Sequence, residues 1–229
     1  MILLKAKPYV SIVIPTLNEV SNIKWLIPAI RKVMRGYAYE IIIVDKYSKD
    51  GTAKTARSLG CKVVSGNLKK GEALLRGFAE SNGKILIAMD ADQSHRPKEL
   101  RLLIAGIETG YDMCAGSRFI TGGGSEDITP LRRFGNKMFV VLGNLLYGSH
   151  YTDIAYGYNA FTRRTIQRLR LTEPGFGIET DMHTKAAKYH LKVIEIPSFE
   201  KRRKSGVGKL RSLNDGLLIL RIMLKNLSG

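Results

Sequence analysis

The first half of the chain alternates short apolar runs with segments of helical periodicity, and this alternation limits its fold more than any other feature. The runs are short and rich in β-branched residues, as strands buried on both faces are. Repeated strand–helix–strand units predict an α/β fold with a parallel sheet and helices on both faces. The predicted strands cover 10–14, 40–44, 62–64, 84–89 and 112–115, and the predicted helices cover 21–35, 51–59, 71–81 and 97–107.

The second half is less regular. Its predicted elements are a glycine-rich loop at 120–130, helices at 132–147 and 178–189, strands at 158–161 and 192–196, and a basic stretch at 201–209. We find no internal repeat and no long linker, so we predict a single domain over residues 1–229. Within it, the first half spans about 8–118, the second half about 119–209 and a C-terminal amphipathic helix about 210–227.

The charge balance is strongly positive. The chain has 37 Lys and Arg against 20 Asp and Glu, a net charge of +17. This excess predicts an anionic partner, such as a nucleic acid, a phospholipid surface or a phosphorylated substrate, unless it only keeps the protein soluble. Because no nucleic-acid-binding motif is recognisable, nucleic acid is not an expected partner, and a basic module that binds anionic surfaces is an alternative function.

Two further features bear on the location of the protein. No apolar run approaches the roughly 20 residues that span a bilayer. The two cysteines, Cys61 and Cys114, fit no metal or redox spacing and lie near predicted strands, where buried free thiols are expected. These features predict a cytoplasmic protein.

Two carboxylates follow the predicted strand at 84–89, in the triplet Asp90-Ala91-Asp92. The carboxyl edge of an open α/β sheet is where such folds bind ligands. Close carboxylates resist ionising together unless a cation lies near them, and Mg²⁺ is commonly held by carboxylates together with substrate phosphates. The triplet therefore predicts a divalent-cation site. The alternative is an acidic turn in which Asp92 or Ser94 caps a helix.

Polar residues also follow the first two predicted strands at the same edge. Asn18 and Glu19 could bind a nucleotide base or ribose, although Asn18 or Ser21 could instead cap the helix at 21–35. Asp45 ends the second strand, where its carboxylate could accept hydrogen bonds from a ribose or a base. For Asp50, which precedes a glycine at a helix start, we predict a structural role.

In order and position along the chain, seven segments resemble those of the family 2 inverting glycosyltransferases. They are IVIPTLNE, EIIIVD-x-x-S-x-DGT, KKGEALLRGF, MDADQSHRP, GSR, YGYNAF and R-x-x-G-x-x-K, and they span roughly residues 10–209. Each motif is weak alone, but the ordered set is specific. The chain is most similar to dolichyl-phosphate and polyprenyl-phosphate sugar synthases. The resemblance implies a GT-A fold with a mostly parallel sheet, a nucleotide-sugar donor, Mg²⁺ or Mn²⁺, and transfer to a polyprenyl or dolichyl phosphate.

The resemblance also implies roles for particular residues. Asp90 and Asp92 would hold the metal with help from Gln93, and Asp92 would be the firmer ligand. The nucleotide and donor would contact Pro15, Leu17, Glu19, Asp45, Lys70, Gly71, Asp90, Ala91, Arg118 and Arg133. One departure from the family is Lys46, which replaces the second of two adjacent aspartates in many relatives and leaves the base preference open.

Charge develops on the leaving diphosphate during such a transfer, so the site needs cations besides the metal. Arg132, Arg133 and Arg203 are candidates. Arg203 begins a segment similar to the family's R-x-x-G-x-S-K pattern, in which Gly208 here replaces the serine. The alternative for 201–209 is a solvated basic loop.

The acceptor decides whether the enzyme needs a general base. A hydroxyl acceptor benefits from one, whereas a phosphate acceptor is already ionised. Glu179 is our first candidate for a further catalytic carboxylate and Asp153 the second, beside Asp92 and Arg203. Carboxylates are also favoured at a helix start by the helix dipole, which is the alternative for Asp181 in particular. Transfer to a hydroxyl of a saccharide or small molecule therefore stays open.

Leucines at 210, 213, 217, 220, 224 and 227 follow the spacing of an amphipathic helix. Eight basic residues lie between 201 and 225, against only Glu200 and Asp215 from Phe199 onward. Such a helix can pack on its own domain, form the seam of a homodimer, or lie on an anionic membrane. A lipid-phosphate acceptor would favour peripheral contact at the cytoplasmic face of a membrane.

Overall fold

The computed structural model describes residues 7–202 and 212–228. In the first half, strands and helices alternate as predicted. They are β1 (Val10–Thr16), α1 (Val20–Val33), β2 (Tyr39–Asp45), α2 (Thr52–Ser58), β3 (Lys62–Ser65), α3 (Lys70–Ala79), β4 (Ile85–Ala88), α4 (Leu100–Glu108) and β5 (Met113–Ser117). A short 3₁₀ turn at Pro97–Glu99 leads into α4.

The second half contains the predicted elements and some that the pattern did not indicate. They are β6 (Gly124–Ser125), α5 (Pro130–Tyr147), β7 (Asn159–Thr162), α6 (Arg163–Leu169), α7 (Ile178–Lys188), β8 (Val193–Pro197), β9 (Phe199–Glu200) and α8 (Ser212–Ser228). The seven-residue α6 is too short to show helical periodicity. The predicted glycine-rich loop contains β6, which pairs with β9.

The central sheet has the strand order β3-β2-β1-β4-β7-β5-β8. All neighbouring strands run parallel except β7, which is antiparallel to both β4 and β5. The mostly parallel sheet is therefore confirmed. In this register Asn159, the first residue of β7, lies opposite Ala88 and Ala115 near the ends of β4 and β5. The segment before β7 thus reaches the carboxyl edge of its neighbours.

Helices cover both faces of the sheet, also as predicted. Ile12 and Ile14 of β1 pack on one side with α1, α2 and α4, whereas Val13 packs on the other with α3, α6 and α7. Each of these aliphatic side chains is fully buried, and such burial contributes about 1.5–3 kcal/mol per side chain. Cys61 and Cys114 are buried free thiols, which confirms that prediction.

The start of α1 differs from the local expectation. The helix begins at Val20, one residue earlier than Ser21. Side chains of the segment after β2 accept hydrogen bonds from backbone N–H groups at its N-terminal end. The Val20 N–H donates to Asp50 Oδ2 at 3.0 Å, and the Glu19 N–H donates to Thr52 Oγ1 at 2.9 Å. Asp50 therefore has the structural role predicted for it, and it caps a helix distant in sequence.

The last helix, α8, packs on the domain along one face. Asn226 is buried and its Nδ2 donates to Asp181 Oδ1 at 2.9 Å and to Thr184 Oγ1 at 2.8 Å. The other face exposes Leu217 and Leu224. Within 7–202 and 212–228, no helix has the length and apolar character needed to cross a bilayer.

Candidate active site

The carboxyl edge of the sheet opens into a cavity of about 1510 Å³. One wall is polar and comes from the ends of β1 and β4 and the starts of α3 and α7. The other wall is apolar and comes from α5 and α8. The sequence-predicted site residues that line the cavity are Pro15, Leu17, Asn18, Glu19, Lys70, Asp90, Ala91, Asp92, Arg118, Arg132 and Glu179.

Both carboxylates of the Asp90-Ala91-Asp92 triplet face the cavity and are partly exposed. Asp92 Oδ1 accepts a hydrogen bond from the Ser94 N–H at 3.0 Å, which fixes the turn after the strand. Gln93 has a positive φ of 66°, and its Nε2 donates to Asn22 Oδ1 at 3.0 Å. Its side chain therefore points toward α1 rather than into the cavity.

Lys70, at the start of α3, bridges two carboxylates at the centre of the polar wall. Its Nζ lies 2.9 Å from Asp90 Oδ1 and 2.8 Å from Glu179 Oε1. Burial raises the pKa of Glu179, and Lys70 opposes this. Burial would lower the pKa of Lys70, but Asp90 and then Glu179 more than reverse the effect, so its pKa is raised. The lysine is therefore a permanent cation at the predicted metal site.

Gly157 allows the three charged groups to come together. A Cβ at this position would lie 3.1 Å from Glu179 Oε1, 3.2 Å from Lys70 Nζ and 3.4 Å from Asp90 Oδ2. The first two distances are tighter than ordinary van der Waals contact. A side chain at 157 would press on the ion pairs, so the glycine of the YGYNAF segment serves the site by its small size.

His95 packs beside the triplet and contacts its backbone. Its Nδ1 accepts a hydrogen bond from the Asp90 N–H at 3.1 Å, and its ring stacks on Tyr158 with 4.6 Å between centroids. Burial lowers the pKa of His95, and the nearby aspartates oppose this without reversing it. The imidazole is therefore neutral at pH 7 with its proton on Nε2, and it positions the backbone of Asp90.

Arg118, after β5, is held by two carboxylates. Its Nε and Nη2 donate to Asp153 Oδ2 and Oδ1 at 2.7 and 3.0 Å, and its Nη1 lies 3.2 Å from Glu200 Oε2. Burial would lower the pKa of Arg118, but Asp153 and Glu200 raise it. Asp153 is fully buried behind the arginine and does not line the cavity. Its geometry is that of a counterion that orients Arg118.

The end of β2 carries Asp45, which is buried at the carboxyl edge of the sheet and does not line the cavity. Its Oδ1 accepts hydrogen bonds from Thr16 Oγ1 at 3.0 Å and from Ser48 Oγ at 2.6 Å, and its Oδ2 accepts from the Ser48 N–H at 2.9 Å. The residue that lines the cavity there is Lys46, the position that departs from the family pattern.

Three other predicted residues lie outside the cavity lining or outside the described part of the chain. Gly71 is a close-approach position, because a Cβ there would lie 2.0 Å from the Glu173 carbonyl oxygen. The Arg133 guanidinium stacks over Phe119 at 5.5 Å from the ring centroid, whereas its neighbour Arg132 lines the cavity. Arg203 lies outside the described residues.

The apolar wall was not predicted. Leu131, Phe134 and Met138 of α5 are 66%, 68% and 52% exposed, and Leu217 of α8 is 69% exposed, yet all four line the cavity. Large exposed apolar surfaces that are continuous mark binding sites. The signal was present in the sequence, since positions 131, 134 and 138, continued by Val141 and Leu145, lie on one helix face.

The donor atoms at the polar wall suit a hard divalent cation, because they are carboxylate oxygens. Within the described residues, no three His, Cys, Asp or Glu side chains form a cluster that could hold a metal ion. Among the described residues, Asp90 and Asp92 would supply part of a coordination shell, and ligands such as phosphate oxygens would complete it. This fits Mg²⁺ or Mn²⁺ bound together with an anionic substrate.

Comparisons with known proteins agree with the resemblance read from the motifs. The family model described as glycosyl transferase family 2 matches residues 11–170. A dolichol-phosphate mannosyltransferase of Pyrococcus furiosus is 33% identical over 88% of this chain, which spans 59% of that protein's length. A polyprenol monophosphomannose synthase of Mycolicibacterium smegmatis is 29% identical over 89% of this chain and 81% of that protein.

A solved structure shows the same fold. Glucosyl-3-phosphoglycerate synthase from Mycobacterium tuberculosis, in complex with Mn²⁺, UDP-glucose and phosphoglyceric acid, superposes with a TM-score of 0.74 at 21% identity. The match covers 98% of this chain and 81% of that one, which confirms the predicted GT-A fold. With the family model, the ordered motifs and the fold in agreement, the chain belongs to glycosyl transferase family 2.

Proposed function

We propose that this chain transfers a sugar from a nucleoside diphosphate sugar to a polyprenyl or dolichyl phosphate, with inversion and with a divalent metal. The observation that carries the proposal is the cavity itself, in which the carboxylates of Asp90 and Asp92 face an apolar wall from α5 and α8. Such a cavity suits a charged donor on one side and a lipid on the other. The names of the mannosyltransferase relatives support the same reading.

Asp90 and Asp92 would hold Mg²⁺ or Mn²⁺ against the donor diphosphate, which would complete the metal's oxygen ligands. When bound, the metal would neutralise the charge that builds on the leaving nucleoside diphosphate. Pro15, Leu17 and Glu19 line the part of the cavity that would receive the nucleotide. Asp45 would act there through the Thr16 and Ser48 hydroxyls that it holds.

Positive side chains of this chain would stabilise the same developing charge. Arg118 lines the cavity in a fixed orientation, because Asp153 holds it in a bidentate ion pair. Arg132 also lines the cavity. Arg203 and Arg133 remain proposed contributors on the strength of the family pattern. A preorganised cation stabilises a transition state without a cost of reorganisation when the bond breaks.

The state of the two further carboxylates favours a phosphate acceptor over a hydroxyl. Glu179 is buried and paired with Lys70, and Asp153 is buried and paired with Arg118. A general base must come within hydrogen-bond reach of the acceptor proton. A polyprenyl phosphate is already ionised and needs no base, so both carboxylates can keep the pairings that position Lys70 and Arg118.

We also propose that the apolar face of α5 and α8 lies on a membrane surface, where the acceptor's lipid would be. Leu131, Phe134, Met138, Val141 and Leu145 form one exposed stripe on α5, and basic residues at 132, 133 and 137 lie beside it. Apolar side chains flanked by cations are typical of helices that bind anionic lipid surfaces.

A donor and acceptor screen tests the proposed reaction. Purified protein with Mn²⁺ is incubated with UDP- and GDP-sugars, with and without a polyprenyl phosphate, and products are separated by thin-layer chromatography. We expect one donor to yield a polyprenyl-phosphate sugar, and Asp92→Asn to abolish the product. If product forms only with a hydroxyl acceptor, that acceptor replaces the polyprenyl phosphate in the proposal. If the protein neither binds nor hydrolyses any nucleotide sugar, the proposed function is wrong.

Vesicle flotation tests the membrane contact. Wild-type protein should float with vesicles that contain anionic lipid, and the double variant Phe134→Asp/Met138→Asp should not, because both side chains are exposed on the stripe. Circular dichroism checks that the variant is folded. If wild-type protein does not float and the variant changes a dimer into a monomer on gel filtration, the stripe is a homodimer seam instead.

A further inference from the structure

Lys70 occupies the position where a divalent cation would meet Asp90. Its Nζ lies 2.9 Å from Asp90 Oδ1 and 3.1 Å from Asp90 Oδ2, so the ammonium contacts both oxygens of the carboxylate. It lies 2.8 Å from Glu179 Oε1 at the same time. The Lys70 side chain is only 16% exposed, so solvent screens it weakly.

A divalent cation and this ammonium would compete for Asp90 in its present geometry. Two cations a few ångströms apart repel strongly in a partly buried site. Metal binding at Asp90 is therefore favoured when Lys70 releases that carboxylate. Glu179 can retain the lysine during this exchange, because its side chain is 6% exposed and forms the second ion pair.

We propose that Lys70 is an internal cation that competes with the metal for Asp90, so that metal and donor bind cooperatively. This inference rests on the proposed function, since it takes Asp90 and Asp92 as the metal site. In the donor-free protein Lys70 neutralises Asp90 and weakens metal binding. When the donor binds, its diphosphate lies in the cavity that Lys70 lines and gives the released ammonium a new anionic partner.

Cooperativity of this kind is reciprocal. If nucleotide strengthens metal binding by a given factor, metal strengthens nucleotide binding by the same factor. The net charge of the three groups predicts whether each variant binds the metal more tightly or more weakly. Lys70, Asp90 and Glu179 together carry one positive and two negative charges, a net charge of −1. Removing the lysine makes this −2, and replacing Glu179 with glutamine makes it zero.

The two variants should therefore change metal affinity in opposite directions. Without nucleotide, Lys70→Met should bind Mn²⁺ about tenfold more tightly than wild type, and Glu179→Gln about tenfold more weakly. In Lys70→Met, the increase in Mn²⁺ affinity on adding UDP should be smaller than in wild type. A merely structural role for Lys70 would weaken Mn²⁺ binding in both variants.

The measurement is titration of Mn²⁺ alone, and then with saturating UDP, followed by the electron paramagnetic resonance signal of free Mn²⁺. Lys54→Met is the matched control, because Lys54 is exposed on α2, does not line the cavity and loses the same charge. Its Mn²⁺ affinity should stay within about twofold of wild type. Thermal melts identify any variant that does not fold. If Lys70→Met does not fold, the weaker Mn²⁺ binding expected of Glu179→Gln still tests the proposal.

The outcomes separate this inference from the proposed function. If wild type binds no Mn²⁺ even with UDP, or if Asp92→Asn binds it normally, the metal site and the proposed function fail. If wild type binds Mn²⁺ with UDP through Asp92 but Lys70→Met binds it no more tightly, the competition is refuted and the function stands.

Discussion

Replacing Arg118 with methionine tests how the structure uses a deeply buried ion pair. The arginine side chain is 9% exposed and Asp153 is 0% exposed, and two of the three guanidinium nitrogens donate to that carboxylate. Methionine keeps much of the apolar stem but leaves Asp153 without its cation. The Arg118 N–H at 3.3 Å and the Ala155 N–H at 3.2 Å remain as donors to it.

The size of the effect follows from burial. Removing one partner of a buried pair costs about 3–5 kcal/mol, because the remaining charge is uncompensated. In a chain of this length about 1 kcal/mol shifts the Tm by 2–4 °C, so the variant should melt roughly 6–20 °C below wild type. Arg118 also contacts Glu200 at 3.2 Å, and that side chain is only 11% exposed, so loss of this second buried ion pair contributes to the same total.

The assay is thermal unfolding of wild type, Arg118→Met, Asp153→Asn and the double variant. The double variant lacks both the cation and the charge of Asp153, so its loss should be at least about 2 kcal/mol smaller than the sum of the single losses. Additive losses, or a melting shift below about 3 °C for Arg118→Met, would refute this account of the pair.

Kinetics of Asp153→Asn add a second criterion. If Asp153 orients Arg118, the variant should lose part of its kcat while the shape of its pH–rate profile stays the same. A catalytic base at this position would instead remove one limb of the profile. Loss of a limb would restore the catalytic role that the sequence suggested for Asp153.

Three further predictions concern the stability and reactivity of the fold. Asn226→Leu should lower the urea midpoint by the equivalent of about 1–3 kcal/mol, because Asp181 Oδ1 loses a buried donor; an unchanged midpoint would mean that α8 is not held there. Burial raises the pKa of the Cys114 thiol to about 12, so disulfide-exchange labelling at pH 8.5 should occur only after unfolding, at a rate set by the opening of the fold; rapid labelling of native protein would contradict this. Gly77→Ala should destabilise by about 1–3 kcal/mol, since its Cβ would lie 2.2 Å from Val13 Cγ1, and a wild-type melting curve would show that β1 and α3 can move apart.

Much of the first half was predictable because its signals are local. Buried strands such as β1 and β2 occur in the sequence as apolar runs, and the helices between them occur as segments with helical periodicity. The local capping rule failed at α1 because the acceptor for the Val20 N–H is Asp50, which belongs to the segment after another strand. A rule that considers only neighbouring residues does not include that partner.

The site was predictable in its residues but not in its pairings. The triplet and the order of the motifs identified Asp90 and Lys70, and the question of a general base identified Glu179, as separate candidates. That Lys70 joins the other two depends on α3 and α7 meeting at one edge, which depends on the whole sheet. Both Asp153 and Glu179 are buried acidic residues, but only Glu179 lines the cavity, and the sequence does not show that difference.

The sequence shows the spacing of the apolar stripe on α5, but it does not show that the stripe is exposed. Positions 131, 134, 138, 141 and 145 form the stripe that a core-facing helix would also show. Only the packing of α5 decides which face is covered. In the structure Val140 of the opposite face is buried with Met223 of α8, and the stripe stays exposed.

The antiparallel direction of β7 determines which changes of loop length affect the cavity. Because β7 runs against β4 and β5, it brings to the site the residues that precede it, including Tyr156 and Gly157, whereas parallel strands bring the residues that follow them. Length changes before β7 therefore reshape the substrate cavity. Length changes before β5, around Gly110, fall on the opposite rim of the sheet. The direction of a single four-residue strand thus decides which insertions reach the cavity and which lie on the opposite rim of the sheet.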